Sequence, residues 1–301
     1  MSALVNWFPT VIDRKVRIAA WTTWVVQILI VVTGGAVRLT ASGLGCPTWP
    51  TCTEESLVTT PEMGIHGIIE FTNRLLTFLL VIVAIATFAL VFRMRKNRRD
   101  FFWLTLLIGL GIPAQAVIGG ISVLMQLNPY VVGLHFIVSI VMVALSTILV
   151  FRVYNGNAPR TWIVSPTAWS LPRIVWLAAA FQIITIILGI LTTGSGPHAG
   201  DADAPRNGLD GGWLQLFHSY PAYVAVGLTA LAIVMSSRAR LIAERNALVM
   251  LLAVNLAQIV VGIIQSRTGL PPLLVGIHMF LACLVAAGTT NALLNLRKPV
   301  K

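Results

Sequence analysis

The sequence predicts an all-α integral membrane protein: eight transmembrane helices forming two pseudo-symmetric four-helix bundles, in parallel repeat. Three observations carry that expectation. Of the 301 residues, 57% are hydrophobic and 10% charged, with a mean hydropathy of +0.86, whereas soluble domains carry about 25% charged residues. Eight stretches reach the roughly 20 apolar residues that a bilayer-crossing helix needs. Finally, part of the first half of the chain is echoed in the second.

In order, the stretches cover about 18–38, 65–92, 101–125, 129–151, 174–193, 213–236, 246–265 and 271–294, leaving no stretch for a separate soluble domain. The first is too long for a secretory signal and lacks a small-residue cleavage site, so it reads as a retained helix. Orientation follows from the basic residues. Seventeen of the 21 Lys and Arg fall in segments sharing one side with the N-terminus, from Arg14, Lys15 and Arg17 to Arg297, Lys298 and Lys301. The positive-inside rule makes that side, with both termini, cytoplasmic. The net charge of +11 is therefore topological. Membrane lipid is the expected surrounding and nucleic acid is excluded as a partner.

The repeat joins AQAVIGGISVLMQLNPYVVGLHF at 114–136 with AQIVVGIIQSRTGLPPLLVGIHMF at 257–280. At an offset of 143, Ala114, Gln115, Gly119, Pro129, Gly133 and His135 fall on Ala257, Gln258, Gly262, Pro272, Gly276 and His278. TASG at 40–43 echoes TGSG at 193–196. Residues 1–151 and 174–301 thus read as two halves joined by a cytoplasmic linker, 152–173. Each half holds four spans, so both enter the membrane from the same side, unlike inverted repeats.

The even-numbered spans each carry a histidine near the outer end. His135 and His278 follow a proline by six residues, His218 follows Gly212 by six, and His66 follows Pro61 by five. At 1.5 Å rise per residue all four are expected about 8–10 Å below the helix start. Polar groups within a bilayer are costly and mark functional sites. Imidazoles from facing helices are suited to gripping a porphyrin iron, so His66, His135, His218 and His278 are candidate iron ligands, two per half. Structural hydrogen bonding is the plainer alternative for any one of them.

His66, Glu70 and Asn73 share one helix face by their three- and four-residue spacing. Arg74, four residues beyond Glu70, is placed to pair with it or with a porphyrin propionate. Cys46 and Cys52 share the first outer loop, where a disulfide is permitted. Cys283 lies alone in the last span, where packing is its expected role.

Taken together, GGAVRLTASGLGCPTWPTC in the first loop, IIEFTNR at 68–74, GLHF at 133–136, QLFHSY at 215–220 and GIHMF at 276–280 resemble the haem A synthases, membrane enzymes that convert haem O to haem A. The resemblance implies a haem b cofactor between His218 and His278 in the C-terminal half. It implies a haem O site in the N-terminal half, with His135 as ligand and Asn73, Arg74 and His66 nearby. Glu70 matches the catalytic carboxylate, and Cys46 and Cys52 match a disulfide pair. The implied reaction oxidises a porphyrin ring methyl to a formyl group by successive hydroxylations, for cytochrome oxidase biogenesis. Implied partners are an electron donor, haem O synthase and cytochrome oxidase assembly factors, all at the plasma membrane.

Two departures stand out. Many members have histidine three residues after the glutamate, where this chain has Asn73. The loop TGSGPHAGDADAPRNG at 193–208 lacks the second cysteine pair that some members carry. A dihaem b-type cytochrome and a non-catalytic haem carrier are the competing readings. The first is disfavoured because all four histidines sit toward one side, and the second because Glu70 adjoins the N-terminal site.

Overall fold

The computed structural model describes residues 8–156, 160–162 and 170–299. Of the linker expected at 152–173, residues 157–159 and 163–169 lie outside the described residues, as does Lys301. Eight helices are each long and apolar enough to cross a membrane: α1 (Arg14–Leu39), α2 (Gly64–Phe92), α3 (Arg99–Leu124), α4 (Pro129–Asn155), α5 (Leu171–Ser195), α6 (Gly211–Arg238), α7 (Ile242–Arg267) and α8 (Pro272–Asn295). Every expected span is present, most of them extended by a turn or less into flanking polar residues. The chain is a multi-pass membrane protein. Its mid-helix surface fits that setting: Phe78, Ile82, Ile85, Leu110 and Met250 are all more than 60% exposed.

One element departs from the all-α expectation. Strands β1 (Arg160–Trp162) and β2 (Arg297–Pro299) form a two-stranded antiparallel ribbon, pairing Arg160 with Pro299. Three residues per strand are too few to give a readable alternation of apolar and polar side chains.

Local chemistry explains where the helices begin. Oxygen acceptors cap three of them: Asp13 takes the Val16 N–H at 3.0 Å, Asn128 the Tyr130 N–H at 3.0 Å, and Asp210 the Trp213 N–H at 2.9 Å. Each satisfies an N–H that the first turn leaves without an intrahelical partner. Hydrocarbon offers polar groups no water, so hydroxyls inside the helices bond back to their own backbone. Thr23 donates to the Ala19 carbonyl, Thr105 to Phe101, Thr185 to Phe181 and Thr229 to Ala225, at 2.7–2.8 Å.

The chain divides into two compact units, one of Met1–Asn157 with Gly200–Ala204, the other of Ala158–Ala199 with Pro205–Lys301. In unit 1, α1 packs on α2 and α4, and α3 packs on the same two, closing a four-helix ring. Unit 2 closes likewise through α5–α6, α6–α7, α7–α8 and α5–α8. Apolar packing concentrates at one end of each ring. Val16, Val91, Met94, Phe101, Leu149 and Val153 seal that end of unit 1, and Leu171, Val175, Leu248 and Leu296 that of unit 2. The histidines of the even-numbered helices sit toward the other end, near the starts of α2, α4, α6 and α8.

Candidate functional site

In unit 2, α6 and α8 bring His218 and His278 together edge to face, with ring centroids 6.1 Å apart and planes at 70°. His218 Nδ1–H donates to the Thr185 carbonyl at 2.8 Å, which orients the ring and leaves Nε2 as the free donor atom. Each ring lies against a helix glycine. A Cβ on Gly189 would meet the His218 ring at 2.8 Å, and one on Gly262 would meet His278 at 3.1 Å. With metal–imidazole bonds of about 2 Å and a centroid about 1 Å behind each nitrogen, a metal held between two imidazoles sets the centroids roughly 6 Å apart. The centroid separation of the pair matches that spacing. Gly189→Ala should therefore push His218 aside and alter the absorption spectrum of a haem bound there. Gly227→Ala, where an added Cβ meets nothing within 4 Å, should leave that spectrum as it was.

In unit 1, α4 carries His135, its ring 3.2 Å from where a Cβ on Gly119 would stand and its Nδ1 buried without a hydrogen-bond partner. The backbone beneath it is braced by Gln115, whose Nε2 donates to Ser139 Oγ at 2.5 Å and to the His135 carbonyl at 3.3 Å.

The polar face of α2 serves two different purposes. Glu70 is buried, and Arg74 half-buried. Arg74 donates to Glu70 Oε1 from Nε at 3.1 Å and from Nη2 at 2.5 Å. Its other contacts are the carbonyls of Cys46 at 2.9 Å, Thr48 at 3.0 Å and Thr51 at 3.1 Å. Glu70 Oε2 accepts the Cys46 N–H at 2.7 Å. Cys46 and Cys52 are joined in a disulfide and wholly buried, so the guanidinium is seated in a ring of carbonyls that the disulfide closes. Five donor contacts use all five N–H groups that a guanidinium possesses. Of the two partners expected for Arg74, the structure supplies Glu70, and the loop takes the rest of its donors.

His66 does not share the depth of the other three histidines. Pro61–Met63 form a 3₁₀ turn, Gly64 follows with φ +56°, and α2 starts only there. His66 is then the third residue of its helix, whereas His135 and His278 are each the seventh and His218 the eighth. The expectation of four matched depths is corrected for His66, because a tight turn fills the residues after Pro61. Its Nδ1 is hydrogen-bonded to Ser42 Oγ at 2.9 Å. Asn73, deeper on α2, has a buried Oδ1 without a partner.

Several contributors were not singled out from sequence. Trp49 lies on α3 where a Cβ on Gly120 would meet its indole at 2.3 Å, and Gly45 abuts the His66 carbonyl. Both depend on how the loop folds back, for which local sequence gives no signal. Gly189 was legible in principle, since a glycine in mid-helix usually marks close packing.

Comparison with known proteins adds an independent line. The chain is 28% identical to a heme A synthase of Bacillus pumilus over 152 residues, covering 50% of this chain and 48% of that protein. It is 32% identical to one of Exiguobacterium sibiricum over 150 residues, 48% of each. With one of Staphylococcus epidermidis it shares 28% over 205 residues, 64% of this chain and 65% of the relative. The chain spans about half the length of the first curated relatives it matches. Residues 17–205 match the COX15-CtaA model, described as cytochrome oxidase assembly protein. That stretch exceeds half of the 301 residues, and it includes α1–α4 with the loop, Glu70 and His135: the chain belongs to the COX15-CtaA family of cytochrome oxidase assembly proteins.

Proposed function

We propose that this protein is a haem A synthase, an oxidoreductase that converts a ring methyl of haem O to a formyl group. The observation that carries the reading is the His218–His278 pair at 6.1 Å, found in a chain whose family and relatives concern cytochrome oxidase assembly and haem A. In this reading 174–301 holds a haem b cofactor on His218 and His278, and 1–151 receives haem O against His135. His218 and His278 would hold haem b, which would supply one-electron transfer there. Thr185 sets the His218 ring through Nδ1, and Gly189 and Gly262 leave room for the two rings.

In unit 1 the methyl passes to an alcohol and then to a hydrated aldehyde, which loses water. Each oxidation adds the oxygen of a water and releases two protons and two electrons, the electrons passing to an oxidised carrier that serves as acceptor. Glu70 is the catalytic group: Oε2 keeps a lone pair beyond its bond to the Cys46 N–H, with which it can take a proton from an adding water. Arg74 and the disulfide loop hold that oxygen in place. Both termini are cytoplasmic, and the haem sites lie toward the outer leaflet, as the positive-inside rule supports. Haem O synthase, an electron-transfer partner that takes up these electrons and oxidase assembly factors are the partners in this reading.

The test is pigment analysis of the purified protein after acid–acetone extraction. Haem b together with haem O, its hydroxylated form or haem A is the expected result. Haem b alone would make the protein an electron-transfer cytochrome and remove the synthase reading.

A further inference from the structure

The two units hold four positions of one kind, and only three carry histidine. His218 lies against Gly189, His278 against Gly262 and His135 against Gly119. Aligning the helices finds the fourth. QILIVVTG at 27–34 matches QIITIILG at 182–189 with an offset of 155, placing Gly34 on Gly189. GIIEFTNR at 67–74 matches GWLQLFHS at 212–219 with an offset of 145, placing Asn73 on His218. The side chains follow that correspondence. A Cβ on Gly34 would stand 4.0 Å from Asn73 Nδ2, so Asn73 faces in unit 1 the counterpart of the glycine that His218 faces in unit 2.

No neighbour on α2 replaces the missing imidazole. His66 aligns with Gly211 in the same comparison, sits at the helix start, and is bonded to Ser42 through Nδ1. Arg74 and Glu70 are committed to each other and to the loop.

We infer that unit 1 binds its porphyrin iron through His135 alone, with the Asn73 amide opposite as a hydrogen-bonding group that does not ligate. The inference rests on the reading that unit 1 receives haem O. Imidazole is a common axial donor to haem iron, and a neutral amide is not among the usual ones. An amide oxygen is instead a hydrogen-bond acceptor, and Asn73 Oδ1 is buried with no partner in the protein. It suits a water or other small O–H donor at the open axial position. Unit 2, with two imidazoles, has no such opening.

The experiment uses the full chain loaded with haem O, reduced with dithionite and titrated with carbon monoxide. One CO per pair of haems is expected, because the open site binds it and the two-histidine site excludes it. Asn73→His should weaken CO binding on the order of tenfold or more and convert the second haem to a low-spin spectrum. The unit 2 spectrum in the same sample reports that the variant is folded. His66→Ala should leave the CO difference spectrum unchanged, whereas a ligating His66 would give new CO binding when removed. Two haems per chain with no CO uptake, or unaltered uptake in a folded Asn73→His protein, overturns the inference and leaves the synthase reading standing. A chain that takes up haem b and no haem O removes that reading, and the inference with it.

Discussion

Arg74→Ala is expected to unlatch the first interhelical loop and destabilise unit 1 by about 3–5 kcal/mol, the range for deleting one partner of a buried ion pair. The substitution strands Glu70 in a buried site with only the Cys46 N–H, it removes the guanidinium from the carbonyls of Cys46 and Thr48, and it leaves that of Thr51 with the Thr48 hydroxyl alone. Thermal unfolding in detergent measures the loss. Alkylation of Cys46 and Cys52 under mild reductant reports the loop, and it should speed up in the variant. Arg74→Lys should rescue little, because an ammonium has three donors and no planar fork to span a carboxylate and three carbonyls. Glu70→Gln keeps the size of the side chain and an oxygen for Arg74, so it should cost less stability while abolishing haem O conversion. An Arg74→Ala protein as stable as wild type, with a disulfide no more reducible, would show that the loop is held by something else. A Glu70→Gln protein with normal turnover would remove Glu70 from the chemistry.

His278→Ala should abolish haem binding at the site proposed for unit 2. Changes to groups that merely orient a metal ligand cost roughly 10–100-fold in affinity, and losing the ligand itself exceeds that range. The low-spin b-type spectrum should disappear, and turnover with it. The same loss is expected for His218→Ala, since the two ring centroids lie 6.1 Å apart. Haem content per chain and the reduced-minus-oxidised spectrum decide it. A spectrum untouched by either substitution would mean that these rings hold no iron.

Much of this architecture was legible because a bilayer tolerates few solutions. Twenty apolar residues in a row admit one reading in hydrocarbon, and all eight helices appear where hydropathy put them. Their ends ran on because residues such as Arg14 and Arg152 continue the helix into the polar boundary. What escaped the sequence depends on chain reversals. Five residues separate His66 from Pro61, close to the six of the other histidines, yet the turn at Pro61–Met63 consumes them without an α-helical rise. The four-residue spacing from Glu70 to Arg74 announced an ion pair. It carried no hint of the three loop carbonyls, which the guanidinium meets in the loop that Cys46 and Cys52 close. Asn73 read as a gap in a histidine pattern, and became a position of its own once Gly34 was found across from it.

The apolar seal of unit 1 has a bearing on energetics. Val91, Met94, Phe101 and Leu149 form an apolar stopper, in which Thr105 and Ser146 bond to carbonyls of their own helices and Thr23 bonds to Ala19 and to Thr87 Oγ1 of α2. Such a stopper places few polar groups between the histidine end of unit 1 and its opposite end. Under the proposed function, substrate protons in unit 1 would be drawn and discharged at the loop-facing mouth, and proton exchange in proteoliposomes should follow the pH on that side.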